Sequence, residues 1–261
     1  MTSFPHFPVE PRAAVQSLVA SRIREVANAG MGRQDVLPFW FGEPDEVTPA
    51  FIRDAAKAAL DSGDTFYTHN LGLPELREAL AAYSTRLHRP TAAEHIAVTS
   101  SGVSALMLVA QLLLNPGDRV VAVTPLWPNL IEIPKILGAE VVSVPLQFDT
   151  VAAPPRWELD LDRLLHALTP DTRALLLNSP NNPTGWTITR EQQQVLLAHC
   201  RKHGIWLLAD DVYERLAYDT PGDLPACAPS FLDLCEADER LVSTNSFSKA
   251  WLMTGWRLGW M

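Results

Sequence analysis

Lys249 sits in the run Asn245-Ser-Phe-Ser-Lys249, and Arg257 follows it in Thr254-Gly-Trp-Arg257, ahead of an apolar, strand-like run. A primary amine condenses with an aldehyde to give a Schiff base, and hydroxyls with a planar guanidinium hold a phosphate dianion through charge-assisted bonds. The segment therefore carries the parts needed to hold a phosphorylated aldehyde, with Lys249 as the candidate amine. Arg257 offers two parallel bonds that a lysine cannot reproduce. Ser246 and Ser248 are the candidate hydroxyls, although Ser248 reads equally well as a turn residue. A lysine beside serines is by itself an ordinary solvated loop residue, so the weight of the reading rests on features upstream.

Each of those features follows a short apolar run. Ser100-Ser101-Gly102-Val103-Ser104 leads into a helix from about Ala105, and free amides at the positive end of a helix dipole suit a phosphate. An ordinary Ser/Gly helix cap has the same appearance. Trp127, in Thr124-Pro-Leu-Trp127-Pro128, can stack on a planar ring, worth ~1 kcal/mol beyond its area burial, or serve as one more packing tryptophan. Asn182, in Asn178-Ser-Pro-Asn-Asn182-Pro-Thr-Gly185, offers an amide donor in a string whose Asn-Pro and Thr-Gly pairs are also turn formers. Asp210, Asp211 and Tyr213 end the run Ile205-Trp-Leu-Leu-Ala209, where a carboxylate can keep a ring nitrogen protonated and make it a better electron sink. Two aspartates also suit a cation, but no third ligand is spaced to complete such a site.

The elements that must position these residues read as an α/β alternation. Short apolar runs at residues 96–99, 119–123, 141–144, 173–178, 205–209 and 241–244 are separated by helical stretches, which implies a mostly parallel sheet with helices on both faces. Ligands of such sheets bind beyond the carboxyl ends of the strands, where all of these loops fall. Upstream, Val15, Leu18, Val19, Ile23 and Val26 have helical spacing, predicting one amphipathic helix over 12–29. Two more helices are expected, from Thr48-Pro49 to before Gly63 and from Pro74 to about His88. Residues 151–155 and 221–229 read as surface connections.

Composition narrows the partners. With 261 residues, 47% hydrophobic, 20% charged and a formal net charge of -9, the chain reads as a globular protein for small molecules, not for nucleic acid or an anionic membrane. The first residues lack a basic region followed by an apolar stretch, and the longest apolar run, residues 105–114, is too short to span a bilayer, so the expected location is the cytoplasm. Cys200, Cys227 and Cys235 show neither a disulfide framework nor metal-ligand spacing, and the seven histidines form no ligand cluster in sequence.

Taken together, the strings around Lys249, Asn182, Asp210 and Ser101 resemble the class I/II aminotransferases of the fold-type I pyridoxal phosphate enzymes, with matches reaching back to about residue 42. The resemblance implies pyridoxal 5'-phosphate as cofactor and transfer of an amino group from an amino acid to a 2-oxo acid through a Lys249 Schiff base. By family position, Ser101, Gly102, Val103, Ser246 and Arg257 hold the phosphate, and Trp127 stacks on the ring. Asn182 and Tyr213 donate to its phenolic oxygen, Asp210 pairs with its nitrogen, and Lys249 also moves the α-proton. Asp211, where the family often has glutamate, would be solvent-facing or structural. Gly42, in Gly42-Glu-Pro-Asp45, resembles a substrate-side glycine loop, and Asn182 also reaches the substrate.

Tyr67, ahead of Gly72-Leu-Pro-Glu-Leu-Arg77, matches a tyrosine that reaches a neighbouring subunit's phosphate. That implies a homodimer with shared sites; a plain surface tyrosine is the other reading. Residues 1–45 are expected to be an N-terminal arm and helix of a small domain and 46–261 the cofactor-binding large domain. The family's C-terminal small-domain segment is expected to be absent, and with it the arginine that binds the substrate carboxylate. The alternatives are a lyase or decarboxylase on the same scaffold, or a cofactor-binding but inactive truncated or regulatory domain.

Overall fold

Runs such as Val120-Val-Ala-Val123 and Ala174-Leu-Leu-Leu177 are apolar at every position, the pattern of strands covered on both faces. In the computed structural model, which describes residues 9–218 and 227–261, they form the middle of a seven-stranded sheet. Along the chain come α1 (Ala13–Gln16), α2 (Arg22–Gly30), α3 (Ala50–Asp61), α4 (Pro74–Leu87), β1 (Val98–Thr99), α5 (Gly102–Leu113), β2 (Arg119–Thr124) and α6 (Pro128–Ile136). There follow β3 (Glu140–Pro145), β4 (Gln147–Asp149), β5 (Arg156–Glu158), α7 (Leu161–Ala167), β6 (Thr172–Asn178), α8 (Arg190–His203), β7 (Trp206–Asp210), β8 (Leu241–Ser246) and β9 (Gly259–Trp260).

The strand order is β1-β9-β8-β7-β6-β2-β3. Strands β3, β2, β6, β7 and β8 pair in parallel, while β9 runs antiparallel to both β8 and β1. Successive side chains leave a strand on opposite faces. Val121, Leu175 and Leu207 accordingly pack with Leu164 of α7 and Leu196 of α8. Val120, Ala174 and Leu208 pack with Val109 of α5 and Leu130 of α6 on the other face. Each fully buried leucine contributes ~1.5–3 kcal/mol of transfer free energy, so helices on both faces are what these apolar strands require. The expected mostly parallel sheet is thus present, with strand ends moved by at most two residues from their sequence-based positions.

The N-terminal expectation needs correction. Instead of one helix over 12–29 there are two, α1 and α2, separated by residues 17–21. The Ser17 hydroxyl donates to the Ala14 carbonyl at 3.1 Å, a local bond that competes with helix continuation. The apolar face also finds no core to pack on: Val19 is 71% and Val26 62% exposed. Short helices take most of their stability from such packing. By contrast α3 and α4 begin after Pro49 and at Pro74 as expected, and α4 buries Leu80 and Ala81 with Ile96 and Trp260. Residues 151–155 lie at the connection of the β4–β5 hairpin; of the expected connection 221–229, residues 221–226 lie outside the described residues, as do residues 1–8. Among the described residues no helix is long and apolar enough to cross a membrane.

Candidate active site

The loops leaving β1, β2, β6, β7 and β8 enclose one cavity of about 430 Å³. Its walls come from the strand-end residues Asn178, Asp210 and Ser246, from the start of α5, and from Trp127, which directly precedes α6. All residues expected from the sequence to serve the site line this cavity except Ser101 and Tyr67. Ser248, left open between phosphate hydroxyl and turn residue, lines it as well.

Close approach of three backbone segments builds the floor. At Gly259 an added Cβ would meet Gly102 N at 2.4 Å and Asn245 O at 2.8 Å, and at Gly102 it would meet Asn245 O and Ser246 Cβ, both at 3.2 Å. Only glycine lets β9, β8 and the start of α5 come this close. Between them Ser101 holds φ at 135°, a backbone region that costs an L residue ~1–3 kcal/mol and is retained where the surroundings enforce it. Ser101 is buried, and its Oγ caps α5 by accepting the Ser104 N–H at 3.1 Å. Its side chain thus shapes the turn and does not line the cavity. Among the described residues the N–H groups of Gly102 and Val103 meet no protein acceptor, so both remain available at a helix N-terminus.

The other phosphate-type groups are linked to one another. Ser246 Oγ donates to Ser248 Oγ at 2.9 Å, and Arg257 reaches Ser248 Oγ at 3.5 Å while bonding the Thr254 carbonyl at 2.7 Å. Lys249 is half-buried; its Nζ donates to the Gly42 carbonyl and lies 5.8 Å from the centre of the Tyr213 ring. Burial pushes the amine below its ordinary pKa; Glu43 opposes this and Arg257 adds to it. The effect favours a neutral, nucleophilic amine. A side chain at position 42 would point at Lys249 Nζ and Tyr213 OH, at 3.7 and 3.8 Å.

Asn182 Nδ2 donates to Tyr213 OH at 3.1 Å, so both groups converge on one point. Burial, helped by Asp210, raises the Tyr213 phenol, and it therefore stays a hydrogen-bond donor at neutral pH. Asp210 is 7% exposed, and among the described residues its carboxylate accepts only one long bond, from the Val212 N–H at 3.4 Å. Burial and the neighbouring Asp211 charge push its carboxyl up to about 7. A cationic partner in the cavity would supply what this carboxylate lacks. Asp211 is not solvent-facing: it is 4% exposed and accepts from Ser243 Oγ at 2.6 Å and Ser230 Oγ at 3.1 Å.

Asn178, which carries no motif of its own in the sequence, supports the site: its Oδ1 accepts the Asn182 N–H at 2.7 Å and its Nδ2 donates to the Asp210 carbonyl at 3.0 Å. A polar residue closing the apolar run Ala174-Leu-Leu-Leu177 is the available signal. Glu43 and Arg24 also line the cavity without having been singled out. Tyr67 is fully exposed and does not reach the cavity of its own chain.

A mostly parallel α/β sheet with an amine, a buried carboxylate and free helix amides at its strand ends has the parts to hold a phosphorylated aldehyde, and comparison with known proteins places it in a family. Residues 34–261 match the family described as aminotransferase class I and II, and the chain belongs to that family. It is 34% identical over 242 residues to an aspartate aminotransferase of Pyrococcus horikoshii, covering 92% of this chain and 59% of that protein. It is also 34% identical over 239 residues to an arginine–pyruvate transaminase of Pseudomonas aeruginosa, covering 91% and 58%. Among solved structures, a Thermus thermophilus aspartate aminotransferase variant complexed with tryptophan superposes with a TM-score of 0.84 at 32% identity, over 96% of this chain and 64% of that one. The chain thus spans about three fifths of the length of these curated relatives.

Proposed function

We propose that this chain binds pyridoxal 5'-phosphate through Lys249 and serves an aminotransferase that moves an amino group from an amino acid to a 2-oxo acid. The observation that carries the reading is the pairing, in one cavity, of an amine held below its ordinary pKa with a buried carboxylate short of hydrogen bonds. When bound, that cofactor supplies an aldehyde for the amine and a protonated ring that withdraws electrons from the substrate's α-carbon.

The residues present fit each part of it. Lys249 provides the condensing amine and then carries the α-proton as a general base. Asp210 keeps the ring nitrogen protonated, and Tyr213 with Asn182 donates to the phenolic oxygen. The Gly102 and Val103 amides, Ser246, Ser248 and Arg257 hold the phosphate, while Trp127 covers the ring. Gly42 and Asn182 lie toward the substrate.

On this reading residues 46–261 form the cofactor domain, residues 1–45 belong to a smaller one, and the enzyme works in the cytoplasm. Tyr67 acts across a homodimer; its full exposure, beside Phe39, Phe51 and Phe66, each at least 75% exposed, supports a partner surface there. The test is a single-turnover reaction of the cofactor-loaded chain with an amino acid. Stoichiometric 2-oxo acid with an aminated cofactor is expected. Release of ammonia or carbon dioxide instead would assign a lyase or decarboxylase, and no product would assign a binding domain.

A further inference from the structure

A second cluster of chemistry-bearing side chains lies apart from the cavity. His88 caps the end of α4, Glu214 lies in the turn after β7, and Cys227 comes from later in the chain; none of them lines the cavity. One donor atom from each, an imidazole nitrogen, a carboxylate oxygen and a thiol sulfur, lies within 4.8 Å of the others. The His88 and Glu214 side chains are 3% and 5% exposed, and His88 Nε2 is 3.1 Å from Glu214 Oε2.

Outer partners fix these groups. His88 Nδ1 lies 2.8 Å from Asp233 Oδ1, and Arg190 holds the other oxygen of Asp233. Glu214 Oε1 accepts from Asn245 Nδ2 at 2.8 Å and Tyr83 OH at 3.3 Å. A carboxylate on the far nitrogen of an imidazole, and an amide on the far oxygen of a carboxylate, are the supports that orient metal ligands. The mixed nitrogen, oxygen and sulfur set suits a borderline-soft divalent ion that accepts tetrahedral geometry at ~2.0–2.3 Å with an open fourth position.

We propose that His88 Nε2, Glu214 Oε2 and Cys227 Sγ form a binding site for a divalent ion of the zinc class, independent of the cofactor cavity. The ion takes the place of the proton between His88 and Glu214 and draws Cys227 into the same cluster. It joins α4 to the connection between β7 and β8, which carries both Glu214 and Cys227, and leaves the amino-transfer residues untouched. The competing arrangement is an imidazolium held between two carboxylates, in which the sulfur is at most a hydrogen-bond partner of His88 and no ligand.

Cobalt(II) titration of the full, metal-stripped, cofactor-free chain separates the two, because a thiolate on cobalt gives an intense near-ultraviolet charge-transfer band. One cobalt per chain and that band are expected. Cys227→Ser, at a half-buried position, should abolish the band and weaken binding about tenfold or more, and Asp233→Asn should weaken it about 10–100-fold by releasing His88. Circular dichroism establishes that both variants are folded. Cys200→Ser and a His199→Gln/His203→Gln double variant should leave band and affinity unchanged. Absence of the band, or its survival in folded Cys227→Ser, would overturn the proposal.

Discussion

Asp210 and Asp211 are adjacent carboxylates in opposite surroundings. Asp210 faces the cavity with one long backbone bond, whereas Asp211 is held by the hydroxyls of Ser243 and Ser230 in the protein interior. Burial raises both carboxyls; the Asp211 charge adds to the effect on Asp210, and the Glu214 charge adds to that on Asp211. The same contrast separates the cavity from the cluster around His88, where both ring nitrogens meet carboxylates. A buried charge short of partners marks the place where a ligand supplies them, while a bonded one holds the fold together.

The bonded region should be the more fragile. His88→Ala leaves Glu214 and Asp233 facing each other without their shared cation and should cost about 3–5 kcal/mol in chemical denaturation with chelator present. Burial opposes the charge on His88, but its bonds to Asp233, Cys227 and Glu214 push it up to about 12. Its stabilisation is therefore complete below the unfolded value of about 6.5 and is lost as pH rises toward about 12. A His88→Ala chain that kept wild-type stability at pH 7 would break the contrast. Gly259→Ala should cost about 3 kcal/mol or more, since its Cβ meets backbone atoms that cannot rotate away.

The cavity region should behave in the opposite sense. Without a ligand, Asp210 keeps its proton up to about pH 7 when folded, but only to about 4 when unfolded. The folded state then binds the extra proton, so stability falls as pH rises between those values, by up to about 1.4 kcal/mol per pH unit. Asp210→Asn should flatten that slope and raise the melting temperature of the cofactor-free chain at pH 7.5 while weakening its hold on pyridoxal phosphate. An unchanged slope would assign the titration to Asp211 instead. The smallest effect is expected at Trp127: replacing it by alanine should remove ~1 kcal/mol of stacking, about fivefold in cofactor Kd by equilibrium titration.

Much of this architecture is legible in the sequence because the central strands are apolar on both faces and the polar residues fall where each strand stops. Asn182, Asp210 and Lys249 can be singled out for that reason. The grouping of His88, Glu214 and Cys227 is not legible, since their separation along the chain carries no ligand spacing and only the packing of α4 against the sheet brings them together. The strict need for glycine at 259 is equally silent, because it arises from backbone contacts with residues 101, 102 and 245. The break between α1 and α2 is not legible either, because helical periodicity records an apolar face but not whether a core exists to receive it.

The most direct test is the visible absorbance of the purified chain titrated with pyridoxal 5'-phosphate, beside Lys249→Ala. The reading predicts a band that forms with the cofactor, is missing from folded Lys249→Ala, and fades when an amino acid is added. A band of equal strength in Lys249→Ala, or no band in the wild-type chain, would contradict it.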